Sequence, residues 1–248
     1  MPSQLVEHRV AGARHDERAG YSEMSRRTAA VALCALFLAG GAVPAAASPV
    51  MSRTRDKTIL AAGVLSAKDV PAGWLSRTVS SGSQFRGFRG ISVCKQIVSV
   101  DAAATAGSHA VSRAFSNPAV PSREATVTDE VYAFKNGAAA GRYLAAFQAP
   151  GAQTCLQAGL TQQTGAQVGV AAAPSHVAGV GDDNAGFDTV LSTTDQQGKP
   201  FTAVLDFVLV RSGRAVVDLA FTNPGTSPLP QEQAILAAVV TRLESVRP

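Results

Sequence analysis

Histidine, cysteine and tryptophan are scarce in this chain: four, three and one among 248 residues. Past an export-type leader, the histidines that remain are His109 and His176. Neither has another His, Cys, Asp or Glu at a metal-helix spacing. A zinc site needs three or four converging ligands, so no metal is expected. There is no Gly-x-Ser-x-Gly elbow and no glycine loop followed by Lys-Ser/Thr, which excludes two common nucleophile and phosphate-cradling arrangements. Charge is also sparse: charged residues make up 16%, with a net charge of +4. Beyond the leader, 17 basic residues face 14 acidic ones, a net of +3. That balance is too weak to argue for nucleic acid. The expected sets of catalytic, cofactor-binding and metal-ligating residues are all empty.

What is present begins with the leader. Met24-Ser25-Arg26-Arg27 is a basic start, Thr28 to Ala42 is apolar, and Ala45-Ala46-Ala47 before Ser48 fits a small-residue cleavage site. Residues 24–47 therefore read as a signal peptide, and residues 1–23 as a stretch upstream of a true start at Met24. The apolar part is short for a spanning helix, which needs ~20 residues. Membrane contact is expected only through this leader, if it is left uncleaved. Leu33 before Cys34 rules that cysteine out as a lipid-attachment site. Cleavage leaves Cys94 and Cys155, an even pair in an oxidising compartment, and a disulfide is the natural reading. Two reduced, buried cysteines are the alternative. Residues 48–57 read as a polar tether, and 58–248 as one domain with 46% hydrophobic residues in the whole chain to build a core.

The longest apolar run outside the leader is 201–222, and Ser212-Gly213 interrupts it. β-Branched and aromatic residues on both sides of a glycine-bearing turn predict a β-hairpin. A three-residue loop, Ser212 to Arg214, pairs Leu209 with Val217, Phe207 with Leu219 and Leu205 with Phe221. One face is then wholly apolar, and Asp206 and Asp218 both point to the other. A slip of one residue swaps the faces, so burial is expected to select this register, with Gly213 in or next to the left-handed position.

Elsewhere, the spacing predicts a helix from Thr58 to before Val70-Pro71. It predicts a short helix at 91–100 and strands at 108–117 and 125–134. Helices follow at 138–148 and 152–162, then strands at 167–173 and 187–194. A last helix has Pro230 in its first position. Adjacent strands with helices at the start, middle and end give an α+β class: an antiparallel β-sheet flanked by helices, with one disulfide.

Three places are candidates for chemistry. Trp74, the only tryptophan, packs a helix onto the sheet or lines a pocket mouth. Residues 76–90 read as a flexible surface loop. They carry a doubled Phe-Arg-Gly, and Phe85, Arg86, Phe88 and Arg89 join Trp74 as a possible ligand or partner surface. Aromatics interleaved with arginines also suit single-stranded nucleic acid, a partner an exported protein rarely meets. Gly179-Val180-Gly181-Asp182-Asp183-Asn184 holds adjacent carboxylates with an Asn. Calcium wants six to eight oxygens, and no Glu closes the loop, so it reads as a polar connection.

Taken together, Asp69-Val70-Pro71-Ala72-Gly73-Trp74, the two cysteines, the Gly-Val-Gly-Asp loop, the Val210 to Val217 turn and the final amphipathic helix resemble a known family. It is that of actinobacterial extracytoplasmic sensor-like domains, found on serine/threonine kinases of the PknH type and on PsbP-like envelope proteins. The resemblance spans 58–246 and implies an α/β sandwich in the cell envelope, but it transfers no functional residue. The function expected is a secreted or envelope-associated, non-catalytic sensor-like domain. It would bind a small or amphipathic ligand or an envelope partner, with no cofactor. The alternatives are a structural interaction subunit and, further off, a hydrolase using Asp182, Asp183, Asp206 or Asp218.

Overall fold

The computed structural model describes residues 54–79, 84–111, 113–117, 124–165, 167–194, 198–226 and 229–247. The signal peptide, its cleavage site and the stretch before it lie outside the described residues.

Eight antiparallel strands form one sheet: β1 (Leu75–Arg77), β2 (Ser108–Val111), β3 (Ala114–Ser116), β4 (Thr126–Ala133), β5 (Gly169–Ser175), β6 (Asp183–Thr194), β7 (Pro200–Ser212) and β8 (Ala215–Pro224). Their order is β1-β3-β4-β8-β7-β6-β5, and β2 also pairs with β4. Among the described residues there are five α-helices: α1 (Thr54–Gly63), α2 (Lys95–Thr105), α3 (Gly137–Gln148), α4 (Gly151–Thr164) and α5 (Glu232–Ser245). This is the expected α+β class, and Cys94 and Cys155 form the disulfide.

The sheet is covered on both sides. Helices α2, α3 and α4 pack on one face against Leu205, Phe207, Leu209, Val216 and Ala220. Helices α1 and α5 pack on the other against Val208, Val210, Val217, Leu219 and Phe221. Successive strand residues alternate between these layers, which is why both strands of the hairpin are apolar almost throughout.

The double cover corrects the expected register. Ser212 pairs with Ala215, Val210 with Val217 and Phe207 with Ala220, so the loop is two residues, Gly213-Arg214. Gly213 does take a left-handed φ of 61°. Asp206 lies opposite Phe221 and Asp218 opposite Leu209, on opposite faces, and both are buried. With a helical layer on each side, neither face is a solvent face, and hydrophobic alternation has nothing to choose between.

Helix α1 starts at Thr54, inside the stretch expected to be tether. Asp56 draws it in: the carboxylate takes Arg214 Nη2 at 2.6 Å and Ser108 Oγ at 3.0 Å. Arg242 of α5 closes the other end of α1, donating to Ala62 O at 3.0 Å and Val64 O at 3.2 Å and pairing with Asp69. Asp69 also accepts from Ser66 N at 2.7 Å and Ser66 Oγ at 2.8 Å. The Asp-Val-Pro-Ala-Gly-Trp motif is thus a clasp between the two helices of this layer.

Candidate functional site

The hairpin tip carries a strongly basic cleft. The loop after β5 reaches it because Gly181 adopts φ 67°, and an added Cβ there would lie 2.4 Å from Val210 Cγ1 and 2.6 Å from Arg211 O. Only glycine fits that approach. The loop delivers Asp182, whose Oδ2 accepts from the Gly213 amide at 2.7 Å and from Arg211 at 3.3 Å. Its Oδ1 takes Arg247 at 2.6 Å. Partial burial pushes this carboxyl up, but the Gly213 amide, Arg247 and Arg211 outweigh it and hold it below its ordinary value. Asn184, buried, donates to Val177 O at 2.8 Å and accepts from Val177 N at 3.0 Å, which fixes the loop. Asp183 accepts from Gln148 at 3.0 Å. The acidic loop is therefore a structural brace. Among the described residues, no group of three or more His, Cys, Asp or Glu could hold a metal.

Around Asp182 the cleft encloses about 570 Å³ and is lined by Arg55, Lys135, Arg211, Arg214 and Arg247, with Asn136 and Gly137 at the first turn of α3. Arg214 also donates to Phe134 O at 2.7 Å. Arg55 and Lys135 make no ion pair among the described residues. Arg211 Nε is buried without an acceptor.

Beside it lies an apolar pocket of about 460 Å³ between α2, α3 and the end of β4. Val100, Ala103 and Ala104 form one wall, and Tyr132, Phe134 and Tyr143 the other. Lys135 and Arg142, both exposed, complete its lining, and Lys135 lines both cavities.

Behind the tyrosines is a group of buried acids. Glu130 and Asp218 are directly paired across β4 and β8, and Asp101 of α2 comes from above. Tyr132 donates to Glu130 Oε2 and lies 3.4 Å from Asp101 Oδ1. Neither Asp218 carboxylate oxygen has a hydrogen-bond partner. Burial pushes the Asp218 carboxyl well up, and the Asp101 and Asp129 charges add to this. Burial does the same to Glu130, against the Tyr132 hydrogen bond and with help from Asp218, Asp101 and Asp129. Under the other layer, burial raises Asp206 to about 6, the Glu232 hydrogen bond opposes this, and the Asp188 charge adds to it. Burial also raises Glu232 to about 8, reinforced by the Asp206 charge. None of these acids lines either cavity.

The residues expected to form a ligand or partner surface are not brought to these cavities. Phe85 and Phe88 are core residues, 4% and 1% exposed, in a short 3-10 helix (Gln84–Phe88). Phe85 packs edge-on against Phe88 with centroids 5.6 Å apart and at a tilt against Phe147 at 5.2 Å. Phe88 fills the space over Gly159 of α4. The reading of a flexible surface loop is corrected for 84–88, which form the 3-10 helix: of Phe85, Arg86, Phe88 and Arg89 only the two arginines are exposed, and residues 80–83 lie outside the described residues. Trp74 is half-buried against the α1/α5 layer. The basic residues that do converge stand at 55, 135, 211, 214 and 247, too far apart in sequence for any motif to link them. The one local signal was Arg211 and Arg214 on either side of Gly213.

No protein-family model matches the chain, and no curated protein matches it. Two solved mycobacterial structures are similar to it: a cell-envelope protein and the extracellular domain of another protein. The first is LpqN, involved in cell envelope biogenesis of Mycobacterium tuberculosis, at 15% identity and TM-score 0.29, over 71% of this chain and 78% of that one. The second is the extracellular domain of PknH from the same organism, at 12% identity and TM-score 0.42, over 75% of this chain and 95% of that one. PknH is a member of the class that the sequence motifs resemble. Likeness at this level says nothing of ligand or partner.

Proposed function

We propose that this chain is an extracytoplasmic, non-catalytic binding domain for a small amphipathic ligand. The observation that carries the reading is the apolar pocket of about 460 Å³ with two exposed cations, Lys135 and Arg142, in its lining. Concave, mostly apolar sites with a few placed polar groups are the usual form of a small-ligand site. The leader of residues 24–47 supports an extracytoplasmic location. The non-catalytic reading is supported by the acids: Asp101, Glu130, Asp206 and Asp218 are buried and line neither cavity, and Asp182, which does line the basic cleft, is taken up by the Gly213 amide, Arg211 and Arg247. General acid–base work needs such a group within reach of substrate.

The test is native mass spectrometry of the protein exported with its disulfide intact, beside an Ala103→Trp variant. Ala103 is exposed on the pocket wall, so the larger side chain fills the pocket without entering the core. We expect an added mass that is lost on denaturation and absent from the variant. A clean apo mass in the wild type, or an adduct that Ala103→Trp retains, defeats the reading. A clean mass with a reproducible envelope crosslink partner transfers support to an interaction subunit.

A further inference from the structure

We infer that the cleft at the hairpin tip binds a phosphate-class dianion, as the charged end of the amphiphile whose apolar part fills the adjoining pocket. This rests on the proposed function for the apolar half of the ligand only.

Charge is the first support. Five cations line the cleft, and only Asp182 among its lining residues opposes them. Asp56, from outside the lining, neutralises Arg214. A surplus of positive charge remains, concentrated on Arg55 and Lys135, which have no ion-pair partner among the described residues. A single carboxylate would leave part of that surplus unmatched, whereas a dianion matches it more closely. Arginine forks match phosphate oxygens in paired hydrogen bonds.

Geometry is the second. Asp182 holds Arg211 and Arg247 in place and is itself fixed by the Gly213 amide, so the two guanidinium groups are set before a ligand arrives and little side-chain freedom is lost on binding. The cleft also includes Gly137 in the first turn of α3, a helix of 12 residues whose N-terminal end favours negative charge. A volume of about 570 Å³ exceeds what one inorganic phosphate fills, so the anion is expected to be part of something larger.

Continuity is the third. Lys135 lines both cavities, the basic cleft and the apolar pocket. A ligand charged at one end and apolar at the other would place its phosphate on the cleft side of Lys135 and its chain on the pocket side. A neutral amphiphile would leave the cleft without a counter-charge, and a free phosphate would leave the pocket empty.

Binding of three probes to the mature protein separates these sources by calorimetry at low and high salt. The probes are dihexanoyl phosphatidic acid below its micelle concentration, dihexanoylglycerol and inorganic phosphate. We expect phosphatidic acid to bind at least tenfold more tightly than either of the others, and this margin to shrink with salt. In the Arg55→Gln/Lys135→Gln variant, both sites being exposed, phosphatidic acid should fall to the level of dihexanoylglycerol. Equal binding of the two lipids by the wild type overturns this inference and leaves the pocket reading standing. Phosphate binding as tightly as phosphatidic acid overturns the link between the cavities. If neither lipid binds, the pocket reading fails. The link between the cavities falls with it; the anion-binding cleft alone survives if phosphate binds in a salt-sensitive way that the double variant loses, and the whole inference falls otherwise.

Discussion

Asp218 presents two carboxylate oxygens to a site that offers them no hydrogen bond, and an ionised carboxylate left unpaired in such a place is very unfavourable. The side chain resolves this by holding its proton. Glu130 does likewise, and so does the Asp206–Glu232 pair under the opposite helices. All of these groups have folded values above their ordinary ones. The stability they contribute is present in full below the ordinary carboxylate range of about 4. It is lost as pH rises, for the Asp206–Glu232 pair through about 6 and then about 8. Thermal denaturation from about pH 5 to about pH 9 should show a falling Tm. Glu232→Gln, which keeps the shape and removes the titration, should flatten the part above neutrality. A wild-type Tm that rises across this range contradicts the assignment. A second residue-scale prediction concerns Gly159, where a methyl group would sit 2.5 Å from the Phe88 ring. Gly159→Ala should destabilise by about 1–3 kcal/mol despite better helix propensity, because the ring has no empty space to enter. An unchanged denaturation midpoint would mean that the ring moves aside.

At the scale of elements, the disulfide and the hairpin behave differently as objects of prediction. The disulfide spans a sequence separation of 61 and ties the turn before α2 to α4. By the chain-entropy account such a closure stabilises by about 4 kcal/mol. Replacing Cys94 and Cys155 together by Ala should lower stability by up to that amount in chemical denaturation, with a smaller loss if the packing relaxes. Its existence was legible because parity and compartment are global properties of the sequence. The hairpin was legible as a hairpin, since β-branched residues and Gly213 are local signals. Its register was not. Both helical layers demand apolar residues, so alternation could not distinguish the two faces, and Asp206 and Asp218 looked like outward residues. The Phe-Arg-Gly repeat failed for a related reason: a Ser/Gly-rich setting suggests a loop, while the partners that bury Phe85 and Phe88 lie on α3, α4 and β7. The basic cleft was illegible because its residues come from five separate places and share no spacing.

For the whole molecule, the sheet ends at β1 and β2 on one side, β2 being four residues long and paired only with β4, and at β5 on the other. The edge at β1 is three residues long. At β5, the side chains of Gln153 and Gln157 on α4 donate to Ala172 O at 2.6 Å and Val170 O at 3.0 Å, and Pro174 lacks an amide to offer. An unpaired edge is a template for another chain, and these glutamines fill it from within. Gln153→Ala/Gln157→Ala should therefore give concentration-dependent self-association in sedimentation, with little change in monomer fold. A double variant that stays monomeric at high concentration would show that Pro174 and the short edge suffice. The cleft has a consequence in time. Arg55 stands in the first described helix and Arg247 follows the last, so its walls come together only once the chain has been made through residue 247. A nascent chain that stops short of residue 247 does not possess the complete cleft. A ligand of the kind proposed would be collected only after the segments carrying Arg55 and Arg247 have met, in the compartment in which that folding step finishes.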